Sequence, residues 1–406
     1  MIKPLFICRE FLSNHSPTGE CARAFINGFD DRFFPLVYCS DKKPMIFNFV
    51  KNKCRVVHES NFVQYVAAAI RRVLIPDLTW LPGYEWWSWG KRCQKRILED
   101  INKGEKFDYI HTISFPCACH TVGLRIKRMT GLPWIAQFYD PWADNPYRPF
   151  KTQFFKRIDW ELEREVVENA DVIIHDNEPI AELWKKRYGS EIAKKIIVLP
   201  LTVPLPTAEV LPQRQRDGET LTISHIGNFM LNRTSIPFIN ALILLFNEHP
   251  ELRGKLQVNY IGMVTEKEKE MIQLSNLSDM FNLVGIITPS ECEPYYKATD
   301  VFLAIDGVNK NNLFFPSKIL KYLYYNKPIL GITPKGSVLD YELHASRHAV
   351  FVNEDIVSIK NYLYRAITNY SSLYGFDSNY WQRFDPINVM KSYQEMIKER
   401  IQLSNN

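Results

Sequence analysis

Short apolar runs alternate with amphipathic stretches along most of the chain. In the first half, runs rich in β-branched and aromatic residues predict buried strands, and the stretches between them keep helical spacing. The predicted strands are 4–10, 34–40, 109–114, 134–139, 171–176 and 195–201, and the predicted helices are 21–29, 61–74, 91–103, 120–130 and 151–169. Strands that alternate with helices in this way are typical of a doubly wound parallel sheet.

The same pattern begins again after a break. Residues 200–220 hold four prolines and a charged end, which is the composition of an interdomain linker, placed here at 206–220. The second set of predicted strands is 221–227, 256–262, 282–286, 301–305, 328–332 and 349–352. The sequence therefore predicts an α/β protein with two Rossmann-like domains, 1–205 and 221–378, and a last helix within 379–406 that returns to the first domain.

The composition is that of a folded globular protein. Of the 406 residues, 46% are hydrophobic and 23% are charged, and the formal net charge is +5. This mild charge suits an anionic substrate or a membrane surface and is too small to indicate nucleic-acid binding. No apolar run is long enough to span a bilayer, and the first residues do not resemble a signal peptide. We therefore expect a cytoplasmic protein whose eight cysteines stay reduced.

Glycines follow three successive strands of the second domain. Gly227, with Asn228 after it, ends the first of these strands, Gly262 the second and Gly285 the third. Because the carboxyl ends of parallel strands meet at one edge of a sheet, these glycines would let a ligand approach the backbone there. Arg233, shortly after the first glycine, would offer a guanidinium to a phosphate.

A basic helix start follows the fourth strand of this domain. Ser317 precedes the helix, and Lys318 and Lys321 share one face of it because they are three residues apart. Cations are unfavourable at the positive end of a helix dipole, so we expect an anion in front of them. The alternative interpretation is a solvated helix face. Together with Gly227 and Arg233, the lysines predict a site for a nucleotide diphosphate.

The order of these segments resembles the donor half of GT-B glycosyltransferases. The segments IGN (226–228), YIG (260–262), LVGII (283–287) and PSKILKYLYYNKPIL (316–330) follow one another as in bacterial family 4 enzymes that build surface polysaccharides. This resemblance implies the GT-B fold, with two Rossmann-like domains facing a central cleft. It also implies that a nucleotide sugar binds the second domain, with its diphosphate near the residues named above.

The resemblance places the nucleotide base and ribose as well. The base would rest on the backbone near Gly285, Ile286 and Ile287. The family normally has a glutamate that holds the ribose where this chain has Lys321, and a second acid where it has Leu313. An ammonium can donate to a ribose hydroxyl but cannot accept its proton. Three alternatives follow: the ribose is held differently, the donor is unusual, or activity is reduced.

Candidate residues of the first domain also follow strands. Gly19 and Glu20 lie after the first strand, where related enzymes carry a glycine-containing loop on the acceptor side. Tyr139 ends the predicted strand at 134–139, and Asp140 and Trp142 after it belong to a stretch that resembles the Asp-Pro-Trp of bacterial relatives.

A carboxylate at a strand end could orient or deprotonate an acceptor hydroxyl, so we take Asp140 as the first catalytic candidate. The alternative is that Asp140, which precedes a proline, only begins a turn. His111 and His120 are further candidates, although a lone histidine in an apolar element is more often part of a core.

Tryptophans and cations are concentrated between residues 61 and 96. Trp80, Trp86, Trp87 and Trp89 stand between the pairs Arg71-Arg72 and Lys91-Arg92. Tryptophan suits headgroup depth and basic residues suit anionic lipid, so 61–96 is predicted to contact the inner face of the cell membrane peripherally. The alternative is a tryptophan-rich lid or plug within the protein.

Taken together, the sequence predicts a glycosyltransferase of the hexosyltransferase type. It would move a sugar from a nucleotide diphosphate sugar to a hydroxyl of a glycan or lipid-linked acceptor in polysaccharide or glycoconjugate synthesis. The resemblance implies retention at the anomeric carbon without a metal, and no Asp-x-Asp pair occurs in the chain. We expect no cofactor. The alternatives are a catalytically inactive module of the same fold that binds a glycan or a protein, and a sugar-nucleotide epimerase.

Overall fold

The chain folds into two compact units. A computed structural model describes residues 1–13, 16–40, 54–58, 62–81, 87–146, 148, 150–204, 220–229, 232–288, 290–307 and 313–401. The first unit contains Met1–Pro204 together with Arg383–Asn406, and the second contains Leu205–Gln382. The predicted linker at 206–220 lies, apart from its last residue, outside the described residues.

The first unit is built on a seven-stranded parallel sheet. Its strands are β1 (Pro4–Ile7), β2 (Leu36–Ser40), β3 (Cys54–Val57), β4 (Tyr109–Ser114), β5 (Trp134–Phe138), β6 (Val172–His175) and β7 (Ile196–Val198), in the order β3-β2-β1-β4-β5-β6-β7. Its helices up to this point are α1 (Pro17–Asn27), α2 (Phe62–Leu74), α3 (Trp87–Asn102), α4 (Ala118–Thr130), α5 (Gln153–Asn169) and α6 (Glu178–Ala193), and a 3-10 turn covers Pro76–Trp80.

The second unit has a six-stranded parallel sheet. Its strands are β8 (Leu221–Ile226), β9 (Leu256–Ile261), β10 (Phe281–Gly285), β11 (Val301–Ile305), β12 (Ile329–Ile332) and β13 (Ala349–Phe351), in the order β10-β9-β8-β11-β12-β13. Its helices are α7 (Ile236–Glu248), α8 (Glu266–Leu274), α9 (Glu293–Ala298), α10 (Lys318–Tyr324), α11 (Val338–Ala345) and α12 (Ile356–Thr368). The last helix of the chain, α13 (Pro386–Arg400), belongs to the first unit.

Two parallel sheets with crossover helices confirm the predicted α/β class. The central strands are buried throughout, as β1, β4, β5 and β11 show, because helices cover both faces of a doubly wound sheet. In each sheet the strand order reverses beside the first strand, between β1 and β4 and between β8 and β11. Ligands of such sheets bind outside the carboxyl ends of the strands at this reversal.

Three elements escaped the sequence pattern. Strand β3 is a short edge strand with only one buried residue, so it has no apolar run to detect. Helix α6 is interrupted at Gly189, whose φ of 79° breaks the helical spacing. Helix α12 is rich in isoleucine, tyrosine and threonine, which are poor helix formers, and packing along α7 outweighs that propensity.

No disulfide links any of the eight cysteines, all of which lie in the described part of the chain. Across the same described ranges, the helices are all too short or too polar to cross a membrane.

Helix α13 has a capped first turn and is tied to the first sheet by a buried side chain. The Asp385 carboxylate accepts hydrogen bonds from the backbone N–H groups of Ile387 and Asn388, which is the capping expected of Asp before Pro. Further along, the buried hydroxyl of Tyr393 lies 3.0 Å from the hydroxyl of Tyr109 and 2.7 Å from Nδ1 of His111. The last helix therefore completes the polar core of the first sheet.

We predict that Tyr393→Phe lowers the free energy of unfolding by about 1–3 kcal/mol, because it leaves the buried groups of Tyr109 and His111 without a partner. Urea denaturation followed by circular dichroism measures the change. Tyr341→Phe is the matched control, since Tyr341 is 41% exposed, and should be nearly neutral. Equal stability of Tyr393→Phe and wild type would contradict the importance of this contact.

Candidate functional site

The three glycines predicted to share a sheet edge do so. The N–H of Gly227 donates to the carbonyl of Ile261 at 2.7 Å, and the N–H of Gly262 donates to the carbonyl of Gly285 at 2.8 Å. The ends of β8, β9 and β10 therefore lie side by side. All three glycines have positive φ, at 150°, 126° and 83°.

Two of these glycines also have close neighbours, which are backbone atoms at Gly262 and a lysine side chain at Gly227. A Cβ on Gly262 would lie 2.5 Å from the carbonyl oxygen of Gly227. A Cβ on Gly227 would lie 2.9 Å from Nζ of Lys318, whose side chain runs across that backbone. The glycines thus make room for each other's backbone and for one lysine.

Lys318 is held in this position by His225, the fifth residue of β8. Nδ1 of His225 lies 2.9 Å from the carbonyl oxygen of Leu303, so Nδ1 carries the proton and donates it. Burial, with Lys318 and Arg233 nearby, lowers the pKa of His225 well below its ordinary value, so the ring is neutral. Its Nε2 is therefore an acceptor, and the Lys318 amine lies 3.1 Å from it. Phe229 stacks on the imidazole with ring centroids 4.4 Å apart and fixes its plane.

A second cation lies beside Lys318. Nε of Arg233 is 3.7 Å from Oδ1 of Asp306, a fully buried carboxylate directly after β11. Burial first, and then the charge of Arg233, lower the pKa of Lys318 well below its ordinary value, while Asp306 acts in the opposite direction. Two cations therefore share one carboxylate at the strand reversal between β8 and β11. An anion bound there would stabilise both cations.

Asp306 was missed by the sequence analysis. A carboxylate directly after the buried strand VFLAI was the available signal. Its role as the partner of Arg233 could be recognised only after the sheet order placed β11 next to β8.

The structure separates the two lysines of α10. Helix α10 begins at Lys318, and Ser317 before it makes no side-chain cap. Lys321, one turn further, lies near enough to Cys292, just before α9, to act electrostatically on its thiol. Leu313, where the related enzymes carry an acid, is buried.

A shallow depression lies at the ends of β9 and β10. It measures about 270 Å³ and is lined by Gly262, Met263, Val264, Lys269, Leu283, Gly285 and Ile286. Ile286 is 75% exposed, which is unusual for isoleucine, and Ile287 next to it is partly exposed. Asn228 closes this region on one side, since its Oδ1 accepts a hydrogen bond from the N–H of Met263 at 2.8 Å. An apolar, open surface of this kind suits the flat face of a base.

At the carboxyl edge of the first sheet, the structure brings several acids together. Asp140 and Asp176 follow β5 and β6, which are hydrogen-bonded neighbours. The thiol of Cys21 lies close enough that burial, then Glu20, Asp176 and Asp140, raise its pKa well above the ordinary value. Tyr139 is buried beside the same thiol, and burial followed by Cys21 raises the pKa of its hydroxyl. Asp176 is a second residue that the sequence analysis missed.

Asp140 has the properties of a proton acceptor. Burial raises the pKa of its carboxyl group to about 6, although the residue keeps partial solvent contact. Within the described ranges it makes no hydrogen bond and no ion pair. A carboxylate of this kind takes up a proton near neutral pH more readily than an ordinary aspartate.

Gly19 has a packing role. It lies in the first turn of α1, and a Cβ there would come within 2.2 Å of the carbonyl oxygen of Glu10. The glycine therefore lets the start of α1 approach the loop that follows β1. The charge of the neighbouring Glu20 contributes, after burial, to the raised pKa of the Cys21 thiol.

Trp142 does not face an acceptor. Its indole is fully buried, and Nε1 donates to Oδ1 of Asp159 at 2.9 Å. Asp159 also pairs with the buried guanidinium of Arg148 at 2.9 Å, and Glu163 accepts from the N–H of Ala143 at 2.7 Å. This buried network holds the segment that carries Asp140. This position does not favour the acceptor contact expected of Trp142, because its buried indole is used to hold Asp159 within the core.

His111 lies in the core. Its Nε2 donates to Oε1 of Gln137 at 2.8 Å, and its Nδ1 accepts from the hydroxyl of Tyr393. Burial lowers its pKa to about 3, so it stays neutral. Both ring nitrogens are used and the residue is not exposed, so its position does not favour the catalytic role expected from sequence.

His120 is buried as well, with Nδ1 2.7 Å from the hydroxyl of Thr112. In the ranges that the structure describes, no three His, Cys, Asp or Glu side chains are placed to hold a metal ion.

Comparisons with known proteins agree with this geometry. A family model described as Glycosyltransferase Family 4 matches residues 49–205, in the first unit. No curated protein matches the chain in sequence. The resemblance found in the second half of the sequence thus has a counterpart in the first half.

The fold is that of solved glycosyltransferases. Anabaena HepE in complex with UDP and glucose is 12% identical, with a TM-score of 0.65 over 98% of this chain and 100% of that one. The lipopolysaccharide outer core galactosyltransferase WaaB is 13% identical, with a TM-score of 0.64 over 98% and 99%. Sucrose-phosphate synthase from Thermosynechococcus elongatus is 14% identical, with a TM-score of 0.63 over 98% and 99%. The chain therefore has the GT-B fold and resembles glycosyltransferase family 4.

We predict that Asp140→Asn stabilises the protein at pH 8 by about 1–2 kcal/mol and leaves it unchanged at pH 4. The folded pKa of about 6 exceeds the unfolded value, so the folded state holds the extra proton and loses stability as pH rises from about 4 to about 6. Because Asp140 is partly exposed, solvent screening keeps the change in the free energy of unfolding below the value that the full pKa shift would give. Urea denaturation at both pH values measures it. The exposed Asp31→Asn is the control, and a pH-independent effect of Asp140→Asn would refute the shifted pKa.

Proposed function

We propose that this GT-B protein is a glycosyltransferase that takes a sugar from a nucleotide diphosphate sugar bound to its second unit. The bond broken joins the anomeric carbon to the β-phosphate oxygen, and the bond formed joins that carbon to a hydroxyl oxygen of the acceptor. The acceptor is a glycan or a lipid-linked glycan, and the reaction belongs to polysaccharide or glycoconjugate synthesis. The transferred unit is a hexose.

The observation that carries this proposal is the pair of cations at the end of β8. Lys318 lies on the backbone of Gly227, and Arg233 lies beside it, with the buried carboxylate of Asp306 as a counter-charge. A diphosphate fits such a site because its oxygens accept from an ammonium and a guanidinium at once. The same cations would stabilise the charge that develops on the leaving diphosphate. Anabaena HepE, which shares the fold, has been solved with UDP and with UDP-glucose, which supports a uridine nucleotide here.

The base and the ribose have separate candidates. The exposed Ile286 and the depression beside Gly285 suit the base, with Ile287 next to them. Lys321 takes the position at which related enzymes hold the ribose with a glutamate. We propose that its ammonium donates to a ribose hydroxyl, which a lysine can do without replacing the acceptor function of a carboxylate.

In the first unit we propose Asp140 as the residue that orients or deprotonates the acceptor hydroxyl. Its raised pKa and the absence of a hydrogen-bond partner among the described residues support this role. Glu20 and Tyr139, which lie around Cys21 as Asp140 does, are the acceptor-side residues. We further propose that the reaction retains the anomeric configuration and requires no metal or cofactor, as the resemblance to family 4 implies.

We propose that the protein works in the cytoplasm, at the inner face of the cell membrane when its acceptor is lipid-linked. WaaB, which shares the fold, is described as a lipopolysaccharide outer core galactosyltransferase. This similarity supports a surface glycan as the product.

We predict that UDP binds the wild type and that Lys318→Ala weakens binding about 10- to 100-fold, the loss expected for one charged hydrogen bond to a phosphate. Isothermal titration with UDP, GDP, CMP and dTDP measures the affinities. Lys335→Ala, which removes an exposed lysine of the same unit, should bind as the wild type does. Burial of the Lys318 ammonium costs free energy in the folded state. We therefore expect Lys318→Ala to fold as the wild type does.

Lys321→Glu separates two roles of Lys321. Tighter UDP binding would show that the lysine stands where a ribose-binding carboxylate works better, and weaker binding would show that it is a phosphate ligand. Binding of none of the four nucleotides would contradict the transferase. It would favour the inactive module, to which the absence of acids at Leu313 and Lys321 already points.

We predict that Asp140→Asn reduces turnover at least about 100-fold, because a positioned acid–base group contributes that much. Release of UDP from the UDP-sugar that binds measures it. In the wild type, turnover should fall as pH drops below about 6, where the Asp140 carboxylate becomes protonated. UDP affinity of the variant should be unchanged, since the nucleotide contacts lie in the other unit. Unaltered turnover would remove Asp140 from the mechanism.

A further inference from the structure

Helix α2 presents an apolar face that the rest of the described chain leaves uncovered. Its exposed aliphatic residues, with the isoleucine that follows it, are Val66 (39%), Ile70 (54%), Val73 (81%), Leu74 (73%) and Ile75 (46%). Only the short turn Pro76–Trp80 makes substantial contact with α2 among the described elements. Scattered apolar residues are ordinary on a surface, but a contiguous row on one helix marks a binding surface.

The start of α5 lies next to the turn that follows α2 and carries a further exposed apolar residue. The buried carboxylate of Asp77 accepts hydrogen bonds from the N–H groups of Lys151 and Thr152, each at 2.8 Å, and from the Thr152 hydroxyl at 3.0 Å. These bonds hold the turn after α2 against the first residues of α5. Phe154, two residues further on, is 67% exposed. The surface is therefore formed by two segments that lie far apart in sequence.

The charges on this surface have one sign. Arg71, Arg72, Lys151 and Lys156 are exposed on it. The only acid in residues 62–77 and 150–157 is Asp77, and it is buried. We call the aliphatic row of α2, Ile75, Phe154 and these four cations the α2–α5 face.

Trp87 borders the α2–α5 face. Its ring lies under the Lys91 ammonium, 4.1 Å from the centroid, and the guanidinium carbon of Arg71 is 5.8 Å away. Of the other tryptophans expected to meet a membrane, Trp89 is buried in the core and Trp86 lies outside the described residues. The tryptophan cluster therefore contributes less to this surface than the sequence indicated, and the aliphatic residues of α2 contribute more.

We propose that the α2–α5 face binds the surface of an anionic lipid bilayer, a partner that rests on the proposed function because a lipid-linked acceptor requires one. Val73, Leu74 and Phe154 would enter the headgroup and acyl boundary, while Arg71 and Arg72 meet lipid phosphates. Amphipathic helices bind membranes in this way, by buried apolar area together with attraction to anionic lipid.

Other occupants fit less well. A second copy of the chain placed face to face would bring its arginines and lysines against the same cations, which is unfavourable. An acidic protein would match the charges. It would be recognised by binding that does not depend on lipid.

The test is co-sedimentation of the full-length protein with vesicles of phosphatidylcholine alone or mixed with phosphatidylglycerol. We expect the wild type to bind the mixed vesicles, and less so at high salt. Arg71→Gln with Arg72→Gln should weaken this binding about 25-fold, at about fivefold for each cation near an anionic surface. Binding to phosphatidylcholine alone should stay as weak as before.

The apolar part has its own variants. Val73→Glu with Leu74→Glu should weaken vesicle binding at least about tenfold, and Phe154→Ser should weaken it less. Leu274→Glu is the matched control, because Leu274 is 82% exposed in the second unit and lies far from the α2–α5 face in sequence. All these positions are exposed, so the variants should fold and should bind UDP as the wild type does.

The outcomes separate this inference from the proposed function. Vesicle binding that is lost in the α2–α5 variants and kept in Leu274→Glu supports it, whether or not UDP binds. It is overturned if the wild type binds no vesicles, or if Leu274→Glu loses as much binding as the double variant. It is also overturned if the wild type self-associates in sedimentation and binds no vesicles, and if only the double variant Val73→Glu with Leu74→Glu disperses the self-associated species. UDP binding without vesicle binding would support the proposed transferase and contradict only the inference that the α2–α5 face binds a membrane.

Discussion

The donor edge of this protein depends on one close approach, that of the Lys318 side chain to the backbone of Gly227. A Cβ at this position would lie 2.9 Å from the ammonium nitrogen, so a larger residue would displace the lysine side chain from the strand end. The neutral ring of His225 accepts from Lys318 and keeps it over the strand end, and Arg233 stands beside it against Asp306. Partial burial of an ammonium costs free energy, and a diphosphate bound beside it would offset that cost. This is the physical basis on which we propose an anion at this edge.

The first unit uses burial differently. The acids Asp159 and Glu163 are buried and hold a loop, through the Trp142 indole and the N–H of Ala143. Burial raises the pKa of Glu163 to about 7, which shows how far such a group is from water. Asp140, 23 residues before Glu163 in the chain, has a raised pKa without a comparable set of hydrogen bonds. The same physical effect, desolvation of a carboxylate, therefore accompanies a structural network at Glu163 and, at Asp140, supports the proposed catalytic role.

Much of the fold could be read from the chain because its strands are short apolar runs bounded by turn residues. The glycines at 227, 262 and 285 were recognised for the same reason, since each ends such a run and the parallel sheet brings the ends together. Strand β3 and helices α6 and α12 were not recognised, because an edge strand, a glycine interruption and poor helix formers remove the periodic signal. His111 and Trp142 were chosen as site residues because a sequence does not show whether a polar side-chain atom finds its partner inside the core, as both do here.

The sequence by itself determined the α/β class, the two parallel sheets, the edge at which the glycines gather and the basic character of that edge. These follow from local rules: alternation of apolar and polar positions, the conformational freedom of glycine and the direction of parallel strands. Only the tertiary structure decided which groups meet. It paired Lys318 with His225 and Arg233 with Asp306, moved Lys321 towards Cys292, placed Asp176 beside Asp140 and joined α2 to α5 through Asp77. Such pairings depend on contacts between residues distant in the chain, which no local pattern of hydrophobic and polar positions encodes.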